Sequence, residues 1–258
     1  MSELGGRSVF LRIVVCFVCF TAIAVGQTKT EQNDPEPFLK RFWVGMRGGG
    51  MINSSTVGQN IEESTTATNP PQSHFRDGSS ESSHFVFGPT VGFNLSERWT
   101  ISADILYRRA GYDSSDVLKT QPDDDGDTDF LYGTYERTRI DYWDVPILVR
   151  YYATPPGGDS ISRPYITGGP AFRRAVNLKT FNETVDDDGY RDTSNIAATP
   201  AHSTVAGAAF GAGLHLSGDS PVQADFEVRA TRWFERTFDS PLIRSNLNQI
   251  ECLMSITF

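Results

Sequence analysis

The chain is divided into eight strand-length segments whose connections alternate between long and short. The segments are 42–52, 84–95, 99–112, 139–152, 163–177, 203–217, 222–236 and 246–258, each with period-two patterning of varying clarity. The connections are long at 53–83, 113–138 and 178–202, short at 96–98, 153–162 and 218–221, and intermediate at 237–245. This alternation is typical of an up-and-down β-barrel with short turns at one rim and long loops at the other.

Residues 1–26 have the composition of a secretory signal peptide. Arg7 and Arg12 supply the positive charge before a short apolar core, and small residues allow cleavage between Gly26 and Gln27. The alternative is an uncleaved membrane helix, but the apolar run is short for a membrane span and no charged stop follows it closely. We therefore expect export across the inner membrane.

The sequence after the signal peptide excludes several classes of protein. One cysteine is left, Cys252, so no intramolecular disulfide is possible. A formal net charge of −9 for the whole chain argues against nucleic-acid binding, which needs a basic surface. No run of 18 apolar residues follows, which argues against a transmembrane helix. We predict a periplasmic leader at 27–41 and one domain at 42–258.

Alternation within the segments predicts which side chains face the barrel interior. In 84–95 large apolar residues alternate with small or polar ones, as a strand between lipid and a packed lumen requires. Segment 222–236 alternates in the same way, but a soluble β-sandwich with one solvated face gives the same pattern. The loop lengths, the signal peptide and the terminal aromatic Phe258 favour the barrel. Pro146 predicts a bulge in its strand because proline cannot donate to a ladder.

A set of charged residues is predicted to point into the lumen. The lumen of an eight-stranded barrel is just wide enough for side chains, and unpaired buried charges cost several kcal/mol each. We therefore predict a salt-bridged plug, with a narrow gated pore as the alternative. The predicted members are Asp104, Arg108, Asp144, Arg150, Asp225, Glu227, Arg229 and Glu251.

Two consecutive segments carry a distinctive pattern of residue types. Residues 141–152 read as an aromatic–acidic–proline–aliphatic–basic–aromatic strand, and 163–170 contain Pro-Tyr followed by Gly-Gly-Pro. In both, and in the Gly-x-Gly element within 210–214, the chain resembles the PorT-like outer-membrane β-barrel family. The resemblance implies an eight-stranded barrel in the outer membrane of a Gram-negative bacterium, without one shared activity.

The last strand predicts both a location and two partners. It alternates up to a terminal aromatic, Phe258, and resembles the signal that the barrel-insertion machinery reads. We expect this machinery and outer-membrane lipid to be partners, no nucleic-acid partner, and a surface ligand whose nature the sequence does not specify. The predicted location is the bacterial outer membrane.

Two acidic loops and four histidines are the candidates for chemistry. Clustered carboxylates at 123–129 invite a calcium hypothesis, but the spacing does not match an EF-hand loop, and 186–188 is a weaker candidate. We predict solvated acidic loops, no metal and no cofactor. The histidines form no recognisable triad with a nucleophile, so no catalytic residues are predicted. They are His74, His84, His202 and His215.

These observations predict an all-β, eight-stranded antiparallel up-and-down transmembrane barrel with four longer extracellular loops and short periplasmic turns. Its predicted role is non-enzymatic, either structural or in envelope and surface interactions through the acidic outer loops. The alternatives are a transport or secretion-accessory barrel and, ranked lower, an outer-membrane barrel enzyme.

Overall fold

The computed structural model describes residues 41–65, 72–120, 130–154, 162–196, 199–217 and 222–258. The predicted signal peptide, nearly all of the leader, the acidic stretch 123–129 and the turn 218–221 lie outside these residues. Within them no helix is long and apolar enough to span a membrane. The strands are β1 (Phe42–Met51), β2 (Thr56–Gly58), β3 (Ile61–Thr65), β4 (Gln72–Ser80), β5 (Phe85–Asn94), β6 (Trp99–Asp104), β7 (Leu106–Thr120), β8 (Phe130–Tyr152), β9 (Ser162–Asp186), β10 (Arg191–Ile196), β11 (Thr204–Leu216), β12 (Gln223–Trp233), β13 (Ile243–Ser245) and β14 (Asn248–Thr257).

Antiparallel pairing closes the main sheet into a barrel. The order around the ring is β1, β5, β6 with β7, β8, β9, β11, β12 and β14, and β14 pairs back with β1. Strands β6 and β7 form one barrel strand that is interrupted at Ile105, whose amide bonds the carbonyl of Pro89. Eight strands therefore form the ring in sequence order, which confirms the predicted up-and-down topology.

The two faces of the barrel wall have opposite character. On β5, Phe85 and Phe87 are 76% and 57% exposed, whereas Val86 between them is 1% exposed. Polar and charged side chains such as Asp104 and Arg150 have no exposure at all. The barrel is thus apolar outside and polar inside, the distribution of a barrel surrounded by lipid.

The long connections contain paired strands, where the sequence had predicted loops. β7 and β8 remain paired out to Lys119 and Phe130, β8 and β9 out to Tyr132 and Asp186, and β4 lies beside β7. We call this continuation of the wall the extension. Its strands carry polar residues on both faces, such as Thr138 on the inner face of β8 and Arg137 on the outer face, so they give no apolar alternation. The predicted ends at 112 and 177 were therefore too early, and the predicted start at 139 was too late.

The bulge predicted at Pro146 is also wrong. The pairing of β8 with β9 keeps one register from Val145, opposite Phe172, to Val149, opposite Gly168. On its other side, β8 is paired with β7 up to Asp144 and with β6 from Ile147 onward. Pro146 thus lies where the neighbouring strand is already interrupted, and its missing N–H disrupts no ladder there. The register shift in β8 lies between Arg139 and Asp141.

Candidate functional site

The barrel interior holds a balanced set of buried charges. In the described part of the chain, the buried charged residues are five arginines and five carboxylates, with His215 beside them. Opposite charges in equal number allow every ion to be neutralised within the lumen. They are Arg47, Arg108, Arg150, Arg173, Arg229, Asp104, Asp144, Asp225, Glu227 and Glu251.

Two carboxylates and two arginines form the centre of the first cluster. Asp104 accepts from Arg47 at 2.9 Å and from Arg229 at 2.8 Å. Glu227 lies 3.3 Å from Arg47 and 2.7 Å from Arg229. Each arginine is therefore shared by the same two carboxylates. Thr90 completes the set by donating its hydroxyl to Asp104 at 2.6 Å.

The first cluster continues toward the short-turn end of the barrel through Arg150. Its guanidinium is 3.2 Å from Asp225 and 3.6 Å from Glu227. The same group lies 5.5 Å from the ring centroid of Trp43 and 5.0 Å from that of Tyr165. Such aromatic contacts favour a cation away from water. On the far side of Asp225, Nδ1 of His215 is at 2.7 Å.

A second cluster lies toward the long-loop end and is centred on Asp144. Its oxygens accept from Arg108 and from Arg173, the latter at 2.8 and 3.1 Å. Gln249 links the arginines, because its side-chain oxygen accepts from both of them. Its amide nitrogen donates to Glu251. The carboxylate of Glu251 joins the second cluster in this way.

The long-loop end is covered by the connection between β12 and β14. Phe238 and Ile243 from this connection pack with Tyr112 and Tyr142 of the barrel wall in one buried cluster. β13 pairs with β2, which joins this connection to the one that follows β1. An apolar cluster therefore lies above the second charge cluster at this end of the barrel.

All eight charged residues selected from the sequence lie inside the barrel, divided between the two clusters. The structure adds three residues to the two clusters that the sequence analysis did not predict. They are Arg47, Arg173 and Gln249. Arg47 stands in a glycine-rich segment with weak alternation, whereas Arg173 lies between the small residues Ala171 and Ala175, which share its face. Strict period-two counting along β9 would have found it.

Apart from His215, the remaining sequence candidates lie away from the lumen. His74 pairs with Asp116 in the extension, and His202 lies 3.7 Å from Glu235 at the surface. Phe258 is exposed next to β1, and its backbone exchanges hydrogen bonds with Val44. Within the described residues, no three His, Cys, Asp or Glu side chains are grouped in a way that could hold a metal ion.

A closed barrel with an apolar outer face and a charged interior indicates a protein of the outer membrane. A family model, the outer membrane protein beta-barrel domain, matches residues 27–232. The chain belongs to this family. It is therefore located in the bacterial outer membrane. None of the curated proteins compared with it matches the chain.

Three solved structures are similar to the chain. OprG of Pseudomonas aeruginosa is 11% identical over 84% of this chain and 95% of its own, with a TM-score of 0.42. Neisserial surface protein A is 10% identical over 84% and 95%, with a TM-score of 0.36. Ail, the attachment invasion locus protein of Yersinia pestis, is 8% identical over 84% and 98%, with a TM-score of 0.30.

Proposed function

We propose that this outer-membrane barrel is sealed and non-enzymatic, and that it acts as a structural or surface-interaction protein. The observation that carries the proposal is the filled lumen. Two ion-paired clusters, each with arginines bound to carboxylates, occupy successive levels of the interior. Phe238 and Ile243 then cover the outer end. Ions crossing the barrel would have to displace both clusters and this apolar cover.

The extension supports the surface-interaction part of the proposal. It carries the exposed aromatic side chains of Tyr135 and Phe181, and Tyr190 is exposed in the turn that follows β9. Exposed apolar groups in one region commonly mark interaction sites. The predicted acidic residues 186–188 form an exposed turn beside Tyr190. Aromatic and acidic groups are thus presented together at the outer end.

A transport or secretion-accessory role, including a PorT-like one, is the second candidate. The specific observation in its favour is a cavity of about 610 Å³ at the periplasmic end, lined by Trp43, Tyr152, Arg163 and His215 among others. A chamber open to the periplasm could receive a small solute. It ends at Arg150, which the first cluster holds in place.

Conductance separates the two candidates. We expect the purified mature barrel to give no stable conductance steps in a planar bilayer, because paired charges and apolar packing fill its cross-section. A general porin inserted in the same apparatus serves as the control for membrane quality. Reproducible steps from the barrel would contradict the seal and support the transport candidate.

The orientation is tested by labelling introduced cysteines. In a Cys252→Ser background, Tyr190→Cys should react with a membrane-impermeant maleimide on intact cells, because Tyr190 is 67% exposed in the extension. Glu97→Cys, in the exposed turn between β5 and β6, is the matched control and should react only after the outer membrane is permeabilised. The reverse pattern would invert the proposed orientation.

A further inference from the structure

Four basic residues form a cluster on the outer wall of β7, β8 and β9. All four are exposed and face away from the lumen; they are Arg109, Arg139, Arg174 and Lys179, and we call them the basic belt. Arg174 lies level with a row of outward-facing aromatic rings, and the other three belt residues lie beyond this row. Tyr107 is paired with Trp143, with ring centroids 5.3 Å apart, and Trp143 is paired with Arg174.

The aromatic row places the belt at the level of lipid headgroups. Tyr and Trp are enriched where a barrel crosses the membrane–water interface. Arg109 stands two residues beyond Tyr107 on the same face of β7, a distance of about 7 Å along a strand. The belt therefore lies at or just outside the interface of the outer leaflet.

Three of the four belt residues form no ion pair with the described part of the chain, although Arg139 is close enough to Asp113 to help lower its pKa. Arg139 and Lys179 are direct cross-strand partners, and like charges in that position repel. Among the described residues, the ion pairs include neither of them, nor Arg174. Arg109 lies 3.3 Å from Asp141 and is the compensated member. An external anion would offset the remaining repulsion.

Next to the belt, the wall carries either paired charges or apolar side chains. One step farther out, Arg137 binds Asp113 at 2.9 Å and Glu81 at 3.2 Å, and this hydrogen bonding by Arg137 lowers the pKa of Asp113. On the neighbouring strand β5, Phe87 is paired with Tyr107 of β7. The same register places Phe85 at the level of Arg109. The neighbouring wall is therefore apolar at the level where the belt is basic.

We propose that the basic belt binds the phosphate groups of phosphorylated lipid headgroups in the outer leaflet. A guanidinium matches phosphate with two parallel hydrogen bonds, and an ammonium adds a point charge. Position and charge both favour a membrane-anchored anion over a soluble one, because the belt adjoins the surface that faces the acyl chains. The contact needs no divalent cation.

The test uses the full mature barrel in detergent, with diphosphorylated lipid A as the probe and its dephosphorylated form as the comparison. The variant Arg139→Gln/Arg174→Gln/Lys179→Gln removes the uncompensated charges. The control Arg98→Gln/Arg232→Gln/Arg244→Gln removes three exposed charges elsewhere. Native mass spectrometry should show that the belt variant retains the diphosphorylated lipid on the order of tenfold less than wild type, whereas the control retains it fully.

Several outcomes would overturn the proposal. These are equal retention by the belt variant and wild type, equal retention of the dephosphorylated lipid, or binding of a soluble sulfated polyanion without retention of lipid. Arg139→Lys/Arg174→Lys keeps the charge and should keep the lipid, even if the neutral variant folds poorly. Loss of lipid in this charge-conserving variant with a folded barrel would count against a phosphate contact based on charge. The result does not depend on whether the lumen conducts.

Discussion

Replacing Asp104 with alanine is expected to lower the free energy of unfolding of the barrel by about 3–5 kcal/mol. Asp104 has no exposure and is bound by Arg47 and Arg229, so its loss leaves two buried cations sharing Glu227. The hydroxyl of Thr90 loses its acceptor as well. The measurement is urea unfolding of the barrel in lipid vesicles, followed by tryptophan fluorescence.

An exposed ion pair of the extension provides the control. Arg191 and Glu183 are 3.0 Å apart, but the side chain of Arg191 is 70% exposed. We expect Glu183→Ala to change the free energy of unfolding by less than about 1 kcal/mol, as is usual for surface pairs. If Asp104→Ala were as mild as Glu183→Ala, water would have to reach the arginines, and the lumen would not be the sealed interior proposed above.

The faces of the strands could be predicted because strand geometry allows only two. Successive side chains point to opposite sides, so one apolar outward residue fixes the direction of its neighbours. Asp144 and Arg150 were predicted to face the lumen, and the structure buries both of them and leaves Ile147 between them exposed. The positions of the charges followed from this rule without knowledge of pairing.

The partners of those charges could not be predicted in the same way. Arg229 reaches Asp104 across 125 positions of sequence, and Arg47 reaches it across 57. Such contacts depend on the stagger between strands around the closed ring, which alternation within a strand does not contain. The extension escaped prediction for a related reason. The outer part of β8 has polar residues on both faces and therefore shows no apolar period.

Closure of the barrel depends on the absence of a side chain at Gly49. A Cβ atom there would lie 2.1 Å from the carbonyl oxygen of Cys252 and 2.9 Å from Cα of Leu253, both backbone atoms of the neighbouring strand β14. Because the backbone cannot rotate away as a side chain can, β1 and β14 must separate. We expect Gly49→Ala to cost about 3 kcal/mol, at the upper end of overpacking.

The adjacent glycine separates this effect from the general cost of changing a glycine in a strand. At Gly50 the nearest atom to a new Cβ is the carbonyl oxygen of His84 at 3.8 Å, an ordinary contact. Gly50→Ala should therefore keep the wild-type midpoint in urea and the gel shift on boiling that marks a folded barrel. Gly49→Ala should lose most of the shifted form. Equal behaviour of the two variants would show that the seam between β1 and β14 can open enough to accept a methyl group, and that close approach there does not control closure.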